Sequence, residues 1–486
     1  MAQPASNEAQ WGPASDAPGA HHDATNKAWF AHSTAPRTST DVVIAKALSR
    51  QYPHLQLIIA PPVSGLSLQK YAQAGHATCN PIEGEAGGFS PVTWTVYTPP
   101  RSRIDGSSGA LGEKVNFGKF AYKWQNHDFI LYLADGRDGN YPFGVTNNHY
   151  LLATERHHAD ALLLAAGSWG NELHEEVWVF DQGYWQKNAD LFRSIVGASW
   201  DNVILDADMK KSIIDDHLSF FKSRDTYTRL KVPWKRGIIY HGPPGNGKTI
   251  SIKATMHMLY DLKDPVPTLY VRTLSSYAGP EFSLKLIFEK ARQFAPCYLV
   301  FEDLDSIVTD RVRSYFLNEV DGLKSNDGIF MIGSTNHLDR LDPGIAKRPS
   351  RFDRKYFFPD PDLEQRVAYC KFWQGKLASN EEIDFPDELC EAIADITDKF
   401  SFAYMQEAFV AALLAIARRS GDRERQEEKS LTRDVGDGWL DVRSVDGNDG
   451  GDELDGNVLW VEMQKQIEIL REGLGEGESA MRSRRN

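Results

Sequence analysis

From Asp41 to about Ser199, short apolar runs alternate with turn residues, as at Trp94–Tyr97, Phe129–Leu133 and Val177–Phe180. These runs are rich in aromatic and β-branched side chains, which suit a pleated, half-buried surface, so they predict strands. The pattern also predicts a helix over Asn147–Leu164 and a flexible loop at Pro99–Ala110. From Trp200 the period changes. Met209–Phe221 sets Ile213, Ile214, Leu218 and Phe221 on one helical face. Apolar runs at Ile238–Tyr240, Thr268–Val271, Tyr298–Phe301 and Ile329–Ile332 then alternate with helical stretches, one ending near Leu259 and one over Glu281–Phe294. Short apolar strands separated by helices predict a mainly parallel sheet covered on both faces. After Pro361 the pattern is helical, over Leu363–Leu377, Pro386–Ile396, Phe402–Arg418 and Val458–Leu470.

Composition adds boundaries. Residues 1–40 are rich in Ala, Ser, Pro, Asn and Asp with little periodicity, and read as a disordered leader. Gly421–Gly456 holds twelve acidic and five basic side chains and few apolar anchors, so it reads as a mobile acidic insertion. The expected division is an N-terminal domain over 41–199, an α/β domain over 200–362, a helical domain over 363–473 and a flexible tail over 474–486.

The net charge of −13 argues against a general nucleic-acid binder. Cys79, Cys297, Cys370 and Cys390 are scattered without metal-site spacing and read as reduced thiols of an intracellular protein. No stretch approaches the roughly eighteen apolar residues that cross a bilayer; Leu57–Val63 and Ala161–Ala166 are too short. The N-terminus has neither a secretory core nor the arginine density of a mitochondrial presequence. A cytoplasmic or nuclear location is expected, with the mitochondrial matrix left open. His157 and His158 are adjacent and diverge on a regular helix, which favours a surface role over a shared metal.

The candidate chemistry lies in the α/β region. Gly242-Pro243-Pro244-Gly245-Asn246-Gly247-Lys248-Thr249 follows an apolar run and precedes a helix, the order required of the GxxxxGK[ST] phosphate-binding loop. Its glycines let backbone N–H groups converge on phosphate oxygens, Lys248 brings positive charge, and the Thr249 hydroxyl suits Mg²⁺. Downstream, Cys297–Phe301 leads into Glu302-Asp303, a strand ending in adjacent carboxylates. Such a pair can serve a Mg²⁺ shell and orient an attacking water. Asn336 falls at the end of the next strand, where a parallel sheet faces its ligand. Arg348, Arg351 and Arg354 form a dense guanidinium cluster, which in an ATPase can stabilise the γ-phosphate in the transition state.

In this order the motifs resemble the classical AAA ATPase family over Trp200–Arg418, most closely its BCS-type branch, named for the mitochondrial Rieske-protein translocase. The resemblance implies a P-loop NTPase module, α/β with a parallel sheet and a C-terminal helical lid, preceded here by a separate α+β or strand-rich N-terminal domain. It implies ATP and Mg²⁺ as ligands, phosphate held by Gly242 to Thr249 with Ile250 following, and adenine near Val203, Ile204 and Gly237. It makes Asn336 a first sensor. Arg348 and Arg351 become fingers on a neighbour's nucleotide, which implies a homo-oligomeric ring, normally a hexamer. Glu302 before Asp303 inverts the commoner acid order, an inversion the BCS-type branch shares; by position Glu302 would serve Mg²⁺ and Asp303 the hydrolytic water. Phe400–Tyr404 would start a lid helix near adenine. Tyr277-Ala278-Gly279 falls where the family carries a loop that grips polypeptide in a central pore. The expected activity is ATP-driven remodelling, unfolding or chaperoning of a protein substrate. A nucleotide-gated structural or transport scaffold with slow hydrolysis, and a nucleic-acid-associated ATPase, are the alternatives.

Overall fold

In the computed structural model the described residues are 39–63, 65–82, 91–100, 108–136, 146–321, 324–348, 351–380, 382–431 and 456–483, with isolated positions at 28, 31, 32, 35, 102, 104, 106 and 454. Most of the expected leader and most of the acidic insertion lie outside them. The chain divides into two compact units, 1–172 and 173–486.

The first unit is an antiparallel sheet with helices. Its strands are β1 (Gln56–Ala60), β2 (Thr78–Pro81), β3 (Val92–Thr98), β4 (Ala110–Trp124), β5 (His127–Gly136) and β6 (Thr146–Ala153), in the order β1-β6-β5-β4-β2 with β3 also paired to β4. Alternation along β4 and β5 sends Phe120, Tyr122, Trp124, Phe129, Leu131 and Leu133 to one face. The helix Arg156–Asn171 covers that face with Ala159, Leu162 and Ala166. The helix predicted over Asn147–Leu164 is therefore corrected: its first half is β6, paired antiparallel with both β1 and β5. Tyr150, Leu151 and Leu152 are buried on alternate faces of a central strand, where packing on both sides overrides the helical preference of Leu and Ala. His149 thus sits in a strand, its Nδ1 3.3 Å from the Ala60 carbonyl, with burial lowering its pKa.

The second unit carries a seven-stranded sheet of β7 (Val177–Asp181), β8 (Tyr184–Asn188), β9 (Arg236–His241), β10 (Thr268–Val271), β11 (Cys297–Phe301), β12 (Ile329–Thr335) and β13 (Arg354–Phe357). Its order is β13-β9-β12-β11-β10-β7-β8, parallel throughout except for the β7–β8 hairpin. Val177–Phe180, expected in the N-terminal domain, instead pairs with β10. β7 is an unbroken apolar run buried at its first four positions, as suits a strand inside a parallel sheet, but which strands it pairs with is a long-range property that the local pattern does not report.

β9, β11 and β12 are buried on both faces, which explains their unbroken apolar runs. One face packs on the helices Pro280–Phe294 and Asp310–Asp321. The other packs on the helices Ala207–Lys222 and Lys248–Tyr260. Within that second layer His217 is fully buried and stacked on Phe330, and desolvation pushes its imidazole down to about 4.

The helices Leu363–Leu377, Asp387–Ile396, Phe402–Leu431 and Val458–Ser483 share a third core around Cys370, Leu389, Phe409 and Met463. The helix beginning at Phe402 runs on to Leu431, past the predicted end at Arg418 and into the segment read as mobile. No described helix is long and apolar enough to cross a membrane.

Candidate functional site: a cleft at the carboxyl ends of the parallel strands

Parallel pairing brings the carboxyl ends of β9, β11 and β12 level, with His241 opposite Thr335 and Phe301 opposite Gly333. The segments leaving these three strands meet in one place, the crevice where open parallel sheets bind ligands. A cleft of about 720 Å³ opens there. One wall is Pro244, Gly245 and Gly247–Ile250, with Asp303, Ser334 and Asn336 beside it. The facing wall comes from the helical domain: Tyr369, Phe372, Trp373 and Lys376, then Phe402, Ala403 and Gln406. Val203 and Ile204 lie along the edge with Gly197–Ser199 and Asn202.

The phosphate-loop conformation depends on glycine. Gly245 and Gly247 have φ of +83° and +91°, which an L side chain resists. A Cβ on Gly245 would also lie 2.5 Å from the Ala403 Cβ, so the turn and the lid helix touch where only hydrogen fits. Gly242 passes equally close to the Phe358 backbone. Asn246 is buried, and its Nδ2 donates to Asp360 at 2.8 Å, tying the turn to the chain after β13. The Lys248 ammonium donates to the carbonyls of Gly242 (2.8 Å) and Pro243 (2.7 Å), so it lies inside the loop's concavity. Burial lowers its pKa, and the negative charge of Asp303 opposes that shift. An anion close to the loop would compensate that buried charge and accept from the N–H groups at the start of the helix Lys248–Tyr260.

The two acids face differently. Asp303 adopts φ +52°, lines the cleft and donates its backbone N–H to Ser334 Oγ at 3.2 Å. Glu302 lines the adjoining depression with Tyr270 and Thr273, and Asp303 borders that depression as well as the cleft. The Tyr270 hydroxyl donates to Glu302 Oε2 at 2.5 Å, while Oε1 is buried without a hydrogen-bond partner. That orphaned oxygen and the exposed Thr249 hydroxyl are hard oxygen donors of the kind Mg²⁺ takes, often through water. Behind them, Thr335 Oγ1 donates to Asp305 at 2.6 Å and fixes the turn that carries both acids.

Two expected site residues move elsewhere. Gly237 is not among the residues lining the cleft: it lies near the amino end of β9, where an added Cβ would strike the Arg351 carbonyl at 2.2 Å, and its glycine serves that crossing. Arg351 is not free to reach a neighbour. It is buried, its Nε donates to Asp321 at 2.8 Å, and its Nη1 donates to the Gly344 carbonyl at 2.6 Å. Arg348 is the more available one, with its side chain 59% exposed and a longer 3.5 Å approach to Asp321. The guanidinium cluster thus splits into an internal clamp and a surface cation. Tyr277, away from the cleft, stands wholly exposed beyond β10. Its turn is braced by Ser276 Oγ donating to the Gly279 carbonyl at 2.8 Å and Ser283 Oγ donating to Ser276 Oγ at 2.9 Å. Ala278 lies between them, and Gly279 has φ of +91°.

Motif reading missed the lid residues Tyr369, Phe372, Trp373, Lys376 and Gln406. The signal that could have found the first four was their spacing, a single face of the helix Leu363–Leu377 made of rings and one cation. The Lys376 ammonium lies 4.4 Å from the Phe372 ring centroid and 5.0 Å from that of Trp373. Phosphate loop, acidic strand end and polar sensor strand thus converge on one cleft. The model of the family "ATPase family associated with various cellular activities (AAA)" matches residues 238–360, the stretch from β9 past β13. The chain carries an AAA ATPase domain, which binds ATP and makes it an ATP-hydrolysing enzyme.

Proposed function

We propose that the chain works as a homo-oligomeric ring, normally six subunits, that uses ATP turnover to remodel a protein substrate. The observation that carries this reading is Tyr277, a fully exposed aromatic on a braced turn directly after a core strand. Desolvating such a ring is favourable only against a partner, and an aromatic face contacts peptide side chains and backbone without demanding a sequence. Gly279 supplies the backbone freedom for the turn to shift as a grip. Arg348 then contributes its charge to the neighbouring subunit's nucleotide, while Arg351 holds the Arg348 segment in place through Asp321.

Within one cleft, Lys248 and the loop N–H groups hold the phosphates. Asn336 and Ser334 meet the γ-phosphate side, and Val203, Ile204 and the lid rings enclose the base. Asp303 orients the attacking water, its turn held by Ser334. Thr249 and Glu302 would hold Mg²⁺, and that ion would neutralise developing phosphate charge. Aspartate is shorter than glutamate by one methylene, so turnover is slow; the Glu302-Asp303 order it shares with the BCS-type branch supports placement there. The first unit serves as the substrate-recognition or chamber domain.

The test is turnover against protein concentration with size measured in parallel, together with Tyr277→Ala and Arg348→Ala. Tyr277→Ala should keep ATP binding and lose stimulation by an unfolded protein, and Arg348→Ala should lose turnover that rises on assembly. Turnover independent of assembly would sink the ring. ATP binding without turnover in any state would support a nucleotide-gated scaffold, and stimulation by nucleic acid instead of protein would move the reading to that class.

A further inference from the structure

We propose that Glu155, His157 and His158, at the start of the helix Arg156–Asn171 in the first unit, form a binding site for a borderline divalent cation of the Zn²⁺ type. One donor atom from each of the three side chains lies within 4.8 Å of the others. Adjacent residues diverge along a regular helix, and that argument fails here because of where the helix begins. Glu155 precedes it in an extended conformation, φ −134° and ψ 136°, and its carboxylate caps no backbone N–H. The carboxylate instead turns onto the first helical residues, with Oε2 3.1 Å from His157 Nδ1. The His157 and His158 rings lie 3.9 Å apart between centroids at 52°, brought together over the first turn.

Two imidazoles and one carboxylate are a common donor set for Zn²⁺, leaving a fourth position for water. Tetrahedral ligation needs donors closer than 4.8 Å, and the side chains of His157 and Glu155 are 68% and 61% exposed, so small rotations close the set without moving the backbone. A third ring fixes the least mobile ligand. His127, the first residue of β5, stacks on His158 at 3.7 Å and 23°. Its backbone is set by the tight turn from Trp124, with Gln125 at φ +53°. His127 is a positioning residue in this assignment, not a ligand. A cation held here would fasten the start of the helix beside the β4–β5 turn.

The ordinary alternative is an exposed Glu155–His157 ion pair, worth little in water. Calorimetric titration of the nucleotide-free full chain with Zn²⁺ alone separates the two. The expected result is one equivalent that disappears in His157→Ala/His158→Ala, a melting temperature that rises with Zn²⁺ in the parent only, and ATP turnover of the metal-free variant equal to the parent's. Glu155→Gln, which keeps both rings and replaces the anionic ligand with a neutral amide, should weaken binding measurably. His127→Phe, which keeps the stack and removes the nitrogens, should bind within about threefold of the parent, and loss of binding there would overturn the three-ligand assignment. Equal titration of parent and double variant, or no uptake by the parent at about 100 µM Zn²⁺, would overturn the site itself.

Discussion

On one side of the cleft, Pro244–Thr249 is a turn whose path is dictated by glycines with positive φ; on the other, Tyr369, Phe372, Trp373 and Lys376 form one face of a regular helix. The first wall presents backbone N–H groups and a single buried cation, and its positive-φ glycines, Lys248 and Thr249 admit few residue types. The second presents rings, and any large apolar side chain would keep the helix folded. Constraint is therefore unequal across one ligand-sized space. Phosphate chemistry fixes the backbone, whereas enclosure of a base requires only surface. The walls touch at Gly245 and Ala403, where a glycine of the turn makes room for the lid.

The largest expected effect is on the turn side. Lys248→Ala should lower turnover by on the order of 10²–10³-fold, as for a lost preorganised charge donor at a transition state. Lys248→Arg should rescue little, because the ammonium is enclosed by the carbonyls of Gly242 and Pro243 and a planar guanidinium does not fit that cage. Substantial activity in either variant, measured as phosphate release at saturating ATP, would break the contrast between the walls.

The paired acids sharpen it next. Asp303 lines the cleft and Glu302 does not, so Asp303→Asn should cost turnover about 10²-fold, while Glu302→Gln should mainly raise the Mg²⁺ concentration needed for half-maximal rate. The reverse ranking would mean that Glu302 swings out of its Tyr270 hydrogen bond to do the work. Side-chain length makes the ranking checkable in a second way: Asp303→Glu should accelerate turnover if the shorter acid limits it.

Much of this was legible in the chain. The phosphate loop could be read because chemistry demands glycine, lysine and threonine at fixed offsets between a strand and a helix. The parallel sheet could be read because β9, β11 and β12 are buried on both faces and carry no polar alternation. Pairing could not be read. β6 looks helical until β1 and β5 flank it, and β7 carries no mark of its partner β10. The two arginines were equally opaque: Arg348 and Arg351 stand close together in one basic run, but only three-dimensional packing reveals that Arg351 is enclosed by Asp321 and Gly344. Their separation is testable by stability. Arg351→Ala removes hydrogen bonds to a partly buried carboxylate and should lower unfolding free energy by about 1.5–3 kcal/mol. Arg348→Ala, exposed and loosely paired, should stay within about 0.5 kcal/mol of the parent in the same denaturation experiment.

A smaller effect than any on the phosphate wall belongs to the lid, and it is the one that tests whether the lid meets the ligand at all. Trp373 stacks on Phe409 at 5.1 Å and 15° and also lines the cleft, so it packs the lid and borders the ligand space. Stacking of a base on an aromatic ring is worth about 1–3 kcal/mol, so Trp373→Ala should raise the KM for ATP roughly tenfold. The rate constant at saturation should change little, because the phosphate wall is untouched. Packing alone would predict otherwise: a cavity beside Phe409 lowers stability and leaves the KM of the folded fraction unchanged. Trp373→Phe separates the two, since it keeps a stacking ring and loses volume. A KM close to the parent's in Trp373→Phe, with reduced stability, is the result expected of a wall that grips the base. A KM unchanged in both variants would assign the face to lid packing, and the asymmetry between the walls would then be one of function as well as constraint.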